Sequence, residues 1–330
     1  MARIPARAVL IGFVLAAALI GSTFYRSAHF NDFVFQICML AVVTLSWNLM
    51  ASAGLISLGH AAFWGVGSYA SMIAAVRLGL PLYGGVVLAI IAGAAIGALL
   101  ALLTGRLKGI FFAISTLALS EGLRVTCLML PDQTGGASGL YLPPALQLPR
   151  PAIYLFGAIA AVLAGAGAAL LSRTSFSYAC RAMRDNEGAA KMLGLDPLRY
   201  RVAILAISAG MVAGAGAIST WYGGYLDPDV GFSLRVTIES QIATILGGMY
   251  TLAGPMLGSV AIVFLSDATR LGLGAYQGAS QLAYGLLLVL GVLFMPRGLY
   301  GSWTGLRTRS APAASDALEP PEPGAAEEVR

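Results

Sequence analysis

The amino-acid sequence predicts an all-α polytopic membrane protein of about ten transmembrane helices, within a range of eight to ten. Hydrophobic residues make up 58% of its 330 positions and charged residues only 11%, where a soluble domain carries about 25% charge. The apolar residues gather into blocks close to the roughly 20 residues that cross a bilayer as a helix. The basic residues lie between these blocks, with a bias to alternate sides.

In chain order the expected spans are 8–24, 33–51, 60–77, 84–105, 109–130, 152–172, 202–222, 237–250, 253–268 and 280–296. Residues 1–24, with Arg3 and Arg7 ahead of an apolar run, have the outline of a signal peptide. The length of that run, and the number of runs after it, favour a retained first helix. Segments 60–77, 237–250 and 253–268 are short, Gly-rich or Pro-interrupted. Any of them can be a broken or re-entrant helix buried among its neighbours. The small-residue pairs Gly93/Gly97, Gly210/Gly214 and Gly254/Gly258 have the spacing that lets helix backbones approach closely.

Ten crossings put both termini on one side. With that side cytoplasmic, its segments hold Arg3, Arg7, Arg106, Lys108, Arg173, Arg181, Arg184, Lys191, Arg199, Arg201, Arg297, Arg307 and Arg309. The opposite loops hold Arg26, Arg77, Arg150, Arg235 and Arg270, so the positive-inside rule fixes this orientation. It also accounts for the net charge of +5 without nucleic acid. From 308 to 330 the chain is rich in Ala, Pro and Glu without apolar periodicity, and reads as a disordered cytoplasmic tail. Residues 1–307 then form the membrane domain.

One interior stretch stands apart. "RAMRDNEGAAKMLGLDPLRYR" (181–201) holds eight of the chain's 35 charged side chains. Residues 185–194 read as a short helix. Asp185 can cap it, Glu187 sits in the first turn and Lys191 in the last, and Gly194 fits the position just past the end. At 1.5 Å per residue it is roughly 13 Å long, too short to span. Met192 and Leu193 add apolar bulk beside small residues. The segment either inserts into a groove on another protein or only enforces topology.

Cys38, Cys127 and Cys180 are dispersed and odd in number, which suits neither a disulfide framework nor a metal site. The only lysines, Lys108 and Lys191, follow no phosphate-binding loop. With two histidines and no nucleophile–base constellation, catalysis within the chain is not expected. Pumped solute would need power from a partner or an ion gradient. Glu121 and Arg124, three apart on one helix face, and Glu239 lie in apolar spans and should face protein or water. His60, at a helix start in "SLGHAAFWG", either fixes that turn or lines a pathway. The loops "TGGASGL" (134–140) and "YLDPDVGF" (225–232) are plain connections or contacts for an outside partner.

The ordered set "SWNLMASAGLISLGHAAFWGVGSYAS" (46–71), "GRLKGIFFAISTLALSEGLR" (105–124), "QTGGASGL" (133–140), the charged stretch, "ILGGMYTLAGPMLG" (245–258) and "FMPRGLYG" (294–301) resembles a known family. It is similar to the LivM-type permease subunits of branched-chain (hydrophobic) amino-acid ABC importers, matching over about 33–301. The resemblance implies a type II ABC importer-like permease in the bacterial inner membrane. It also implies a pore shared with a second homologous permease, two cytoplasmic ATPase subunits and a periplasmic solute-binding protein. The chain itself would bind no cofactor, and ATP would be hydrolysed by the partners. The loop 173–201 would carry the coupling helix, placing Arg181, Arg184, Asn186, Glu187, Ala189, Ala190 and Gly194 at the ATPase contact. His60, Glu121, Arg124 and Glu239 are candidates for the pathway or the permease seam. The sequence departs from the family at Ser177-Tyr178, where a Gly-Arg pair is usual, and at Tyr250-Thr251, where Gly-Ser or Gly-Thr is usual. Relatives serving urea or short amides, an ion-coupled secondary transporter and a membrane-embedded enzyme are the competing readings.

Overall fold

The computed structural model describes residues 28–273 and isolated helical positions between 282 and 299. The expected spans 8–24 and 280–296 and the tail 308–330 lie outside the described residues. The main elements are α1 (Ala28–Ser52), α2 (His60–Leu78), α3 (Leu82–Leu103), α4 (Gly109–Met129), α5 (Arg150–Leu171), α6 (Ser175–Asp185), α7 (Glu187–Met192), α8 (Pro197–Gly223), α9 (Leu234–Gly247) and α10 (Ala253–Leu273). Among the described residues five helices, α1, α3, α4, α5 and α8, are long and apolar enough to cross a bilayer. The fold is an all-α bundle.

α8 is the central post, packed on α1, α2, α3 and α5. Its sequence explains this: Ala and Gly recur on every face between Ile204 and Thr220, so neighbours close in from all sides. Asp196 caps its start by accepting from the Leu198 N–H at 3.1 Å, with Pro197 at the first helical position, where a missing N–H costs nothing. α3 lies against α8 at Gly93 and Gly97. A methyl at Gly97 would stand 2.6 Å from the Ala209 side chain and the Leu205 carbonyl, so the small-residue pair sets this contact. The outward faces of α3 and α4 are the reverse, with Ile91, Leu99, Leu103, Ile110, Phe111 and Ile114 all exposed. So large an apolar surface needs lipid or a partner protein against it.

At one end of the bundle, here the strand end, the segment 131–149 meets the segment 224–233. Leu140–Tyr141 (β1) pairs antiparallel with Tyr225–Leu226 (β2) in the register Leu140↔Leu226, and the Tyr141 and Tyr225 rings lie 4.7 Å apart. Asp32 ties three helices together nearby: its Oδ1 accepts from the Tyr154 and Tyr222 hydroxyls, each at 2.6 Å. The other end, here the charged end, carries α6 and α7.

The segment expected to span at 237–250 lies three residues earlier, at Leu234–Gly247, and is as short as the sequence suggests. α9 has 14 residues, about 21 Å of helix against a hydrocarbon core of about 30 Å. The N-terminus of α9 meets the N-terminus of α2 inside the bundle, where Thr237 Oγ1 accepts from the Ala61 N–H at 2.9 Å. α2 therefore begins within the protein interior, with His60, Ala61, Ala62 and Phe63 buried, while α9 enters it only from Thr237 onward, after the exposed Leu234 and Arg235.

Candidate functional site

The charged stretch folds as two helices broken at Asn186, where the sequence suggests one helix over 185–194. α6 buries Ala179, Cys180 and Met183 on one face and exposes Tyr178, Arg181 and Asp185 on the other, the stripe of a surface helix. The cap of α7 is Asn186, not Asp185. Asn186 is extended and its Oδ1 accepts from the Ala189 N–H at 3.0 Å, satisfying one of the free donors of the first turn. Asp185 instead takes the Arg184 guanidinium at 3.0 Å. At the far end Gly194 adopts φ +82°. The Gly194 N–H bonds to the Lys191 carbonyl and the Leu195 N–H to the Ala190 carbonyl, at 2.9 and 3.1 Å, which is a Schellman closure.

Glu187 holds this unit to the bundle. Its carboxylate takes Lys108 from the α3–α4 connection at 2.7 Å, Lys191 one turn on at 3.2 Å, and Arg201 of α8 at 3.1 Å. The chain's only two lysines thus converge on one acid. Arg201 also donates to the Gly105 and Leu107 carbonyls at 2.9 and 3.1 Å, so it pins the α3–α4 turn as well. The Glu187 and Arg201 side chains are 15% and 12% exposed. Burial works to raise the Glu187 pKa, but the bonds from Lys108 and Lys191 and the charge of Arg201 outweigh it and hold the carboxyl below its ordinary value.

With Glu187 turned inward and Ala190 buried, the free apolar surface is made by Ala189, Met192 and Leu193. Met192 is 89% and Leu193 80% exposed. An apolar knob of this kind, on a helix clamped from behind, is available to a partner groove. The sequence shows Met192 and Leu193 only as bulk, because nothing local marks which side of so short a helix is covered. Nor does it mark Lys108 and Arg201 as the grip on Glu187, since the three lie on different elements. Arg181 sits over the exposed Tyr178 ring at 5.8 Å, and Arg184 over Tyr250 at 4.4 Å.

The remaining candidates lie elsewhere. Arg124 bridges Glu121 at 2.5 Å and Asp229 at 2.7 Å, joining α4 to the turn Pro228–Gly231 at the strand end. Glu239 pairs with Arg235 one turn before it, at 2.6 Å. His60 is fully buried at the first turn of α2, its ring 6.0 Å from Phe63. Neither ring nitrogen has a hydrogen-bond partner among the described residues. Around it Ser57 accepts from Trp47 and Gln241 through its carbonyl, at 3.0 and 3.1 Å, and Thr116 Oγ1 accepts from the Leu58 N–H at 3.0 Å. The turn is thus fixed by neighbours of His60 rather than by its own ring.

A groove of about 540 Å³ runs between α3 and α5 over α1 and α8. Apart from Tyr83, every lining side chain is apolar, among them Ile90, Phe156, Leu163, Met211 and Ile218. It offers no polar pairing for a charged solute.

The chain matches a family model described as the permease component of branched-chain amino acid transport systems, over residues 30–295. It is 26% identical over 293 residues to the high-affinity branched-chain amino acid transport system permease protein LivM of Salmonella typhimurium, covering 78% of this chain and 67% of that protein. The LivM of Escherichia coli K12 is likewise 26% identical, over 288 residues with the same coverage. The LivH permease protein of Escherichia coli K12 is 28% identical over 123 residues, 37% of this chain and 39% of that protein. No solved structure matches the chain. The match spans every described helix but the first few residues of α1, and it includes the charged stretch, the His60 turn and the α9–α10 pair alike: the chain belongs to the family of branched-chain amino acid transport permease components.

Proposed function

We propose that this chain is the transmembrane permease subunit of an ATP-binding-cassette importer for branched-chain or other hydrophobic amino acids. It forms the pore with a homologous permease, two separate ATPase subunits bind and hydrolyse the ATP, and a periplasmic solute-binding protein delivers the substrate. The observation that carries this reading is the pedestal at the charged end. Met192 and Leu193 stand exposed on a helix that Glu187 fastens to the α3–α4 turn and to α8. An apolar contact that cannot swing freely transmits a push from a partner, and a mere topology signal has no need of either feature.

The charge bias supports a cytoplasmic position for this end, and in this reading both termini lie on the same side of the inner membrane. The paired loops of the strand end then face the periplasm, where β1, β2 and the Arg124 bridge give the binding protein a firm landing surface. The outward apolar faces of α3 and α4 meet lipid or the second permease. Tagging the chain and identifying what copurifies tests the assembly, with uptake of radiolabelled leucine measured with and without ATP. Copurified ATPase and ATP-dependent uptake support the reading. Uptake driven by an ion gradient, with no ATPase retained, would reject it in favour of a secondary transporter. Uptake of urea or short amides in place of leucine would keep the assembly and change the substrate.

A further inference from the structure

Tyr250, in the connection between α9 and α10, is the single non-glycine residue with a positive φ among the described residues, at +63°. For a bulky side chain this is a genuine outlier, because Cβ crowds the backbone there. Such a conformation persists only where the surroundings over-determine it, and here they do. The Tyr250 N–H donates to Asn48 Oδ1 at 2.8 Å, and Asn48 Nδ2 donates to the Thr251 carbonyl at 2.9 Å. Thr251 Oγ1 accepts from the Gly254 N–H at 2.9 Å and opens α10. One asparagine of α1 therefore fixes both peptides of the turn. The backbone is held by Asn48 and by Thr251, whose hydroxyl also donates to the Gly248 carbonyl at 2.9 Å, and none of these bonds uses the ring.

The ring itself does something else. It lies under the Arg184 guanidinium at 4.4 Å, well inside the roughly 6 Å over which a cation is drawn to a ring face. Arg184 belongs to the last turn of α6, next to the break at Asn186 and the exposed knob of α7. A small cavity of about 50 Å³, lined in part by Asn48, Ser177, Arg181 and Tyr250, lies beside this contact, so the ring is not locked in place by tight packing on every side.

What the ring is attached to moves as one piece. A Cβ at Gly247 would collide with the Gly254 carbonyl, and one at Gly258 with the Ala243 carbonyl. α9 and α10 are thus in backbone contact and cannot slide independently. At its other end α9 reaches the buried centre of the bundle, through the Thr237 bond to the Ala61 N–H beside His60 and the Gln241 bond to Ser57. A continuous set of contacts runs from α6, through one cation–ring stack, along a rigid helix pair to the start of α2.

We propose that Tyr250 is a positioning residue for transport. Its ring, stacked on Arg184, is the joint by which movement of α6 and α7 reaches the α9–α10 pair and the His60 turn, and the strained backbone serves to aim it. This rests on the importer reading above. The test uses the complete transporter in liposomes, with radiolabelled leucine, comparing Tyr250→Gly and Tyr250→Phe with the wild type. Glycine adopts a positive φ without penalty, so Tyr250→Gly removes the ring and relieves the backbone together. Its thermal midpoint should stay equal or rise, and ATPase copurification and basal hydrolysis should be unchanged. Its uptake, and the stimulation of hydrolysis by loaded binding protein, should fall by about tenfold or more, in the range of a coupling free energy. Tyr250→Phe keeps the ring face and should transport as the wild type does. Wild-type uptake by Tyr250→Gly would overturn the joint. So would a thermal midpoint that falls in step with uptake, because that marks a residue that only maintains the fold. A wild-type transporter that retains no ATPase would overturn the importer reading instead, in a control that contains no substitution.

Discussion

Replacing Glu187 by glutamine keeps the shape of the side chain and deletes the charge on which Lys108, Lys191 and Arg201 converge. Stripping one partner from a buried ion pair costs about 3–5 kcal/mol when the other charge is left with nothing. Arg201 is not left so, because it keeps the Gly105 and Leu107 carbonyls. The loss is nearer that of one charge-assisted hydrogen bond, about 1.5–3 kcal/mol. Lys108 and Lys191 are more than half exposed, and exposed pairs add only about 0–1 kcal/mol each. A net loss of about 2 kcal/mol corresponds to roughly a thirtyfold rise in the detached form of α7. The assay is hydrogen–deuterium exchange of the amides of Ala190 and Leu195, which bond to Asn186 and Ala190, in the solubilised protein. Exchange should quicken by about that factor while the amides of α8 stay protected. Because the folded carboxyl lies below its ordinary value of 4.5, the anchor is fully present above that value. It is lost only as pH falls through the lower pKa of the folded chain. Exchange in Glu187→Gln that matches the wild type at neutral pH would refute the anchoring role.

Met192→Glu should leave the exchange pattern and the thermal midpoint alone, since the side chain is 89% exposed and surface changes stay within about 0.5 kcal/mol, yet lower the amount of ATPase that copurifies. Unchanged copurification would remove the knob from the contact. Single cysteines at Ser138 and Thr174, both exposed, in a chain otherwise free of cysteine, should react with an impermeant reagent from opposite sides of the membrane. Reaction of both from outside would overturn the orientation. For the Glu121–Arg124–Asp229 bridge, Arg124→Ala should cost more stability than Glu121→Ala, because Arg124 keeps Asp229 when Glu121 is lost. The double variant should be less damaging than the sum, and strictly additive losses in thermal stability and uptake would sink the pairing.

Helices of the bundle were readable because each announces itself locally. The run from Leu82 to Leu103 has no charged residue at all, and Pro197 and Gly224 bracket α8 by rules that act within a few residues. The expected spans 33–51, 84–105, 109–130, 152–172 and 202–222 correspond to the five membrane-length apolar helices, with ends shifted by up to five residues. Segment 237–250 reads as a candidate for a broken helix because it is short and Gly-rich at its end, and α9 has 14 residues. Ser233, Thr237, Ser240 and Gln241 give it too many polar groups for lipid, and three of them are spent on interior bonds. The pairing of β1 with β2 was not readable. Two residues on each side, more than eighty positions apart, carry no periodicity, and only the meeting of the two loops creates the ladder.

The charged stretch was legible as a unit and illegible as a surface. Its composition names a short helix, with a capping residue, an acid in the first turn and a glycine beyond the end. It does not tell Asp185 from Asn186 as the cap. Either side chain can accept from the first turn, and what decides is that Arg184 claims Asp185. Glu187 reads in sequence as a first-turn acid, and the family resemblance places it at a partner contact, yet in the structure it faces three cations of its own chain. The difference arises because Lys108 and Arg201 stand 79 residues before and 14 residues after it, beyond the reach of any helical spacing rule. Tyr250 is the same lesson in reverse. A large ring in a tight connection reads as a misfit beside its glycines, and the misfit disappears only when the Arg184 side chain, 66 positions earlier, is seen above it. Both residues act at this end of the bundle through partners that the fold supplies, so substitutions chosen by local sequence rules would test the wrong contacts. Glu187→Gln should loosen the pedestal and Tyr250→Gly should uncouple it. A variant combining them should show the exchange of the first and the transport loss of the second, with no further drop in uptake if both lie on one line of contacts. Uptake losses that multiply would place the anchor and the joint on separate routes.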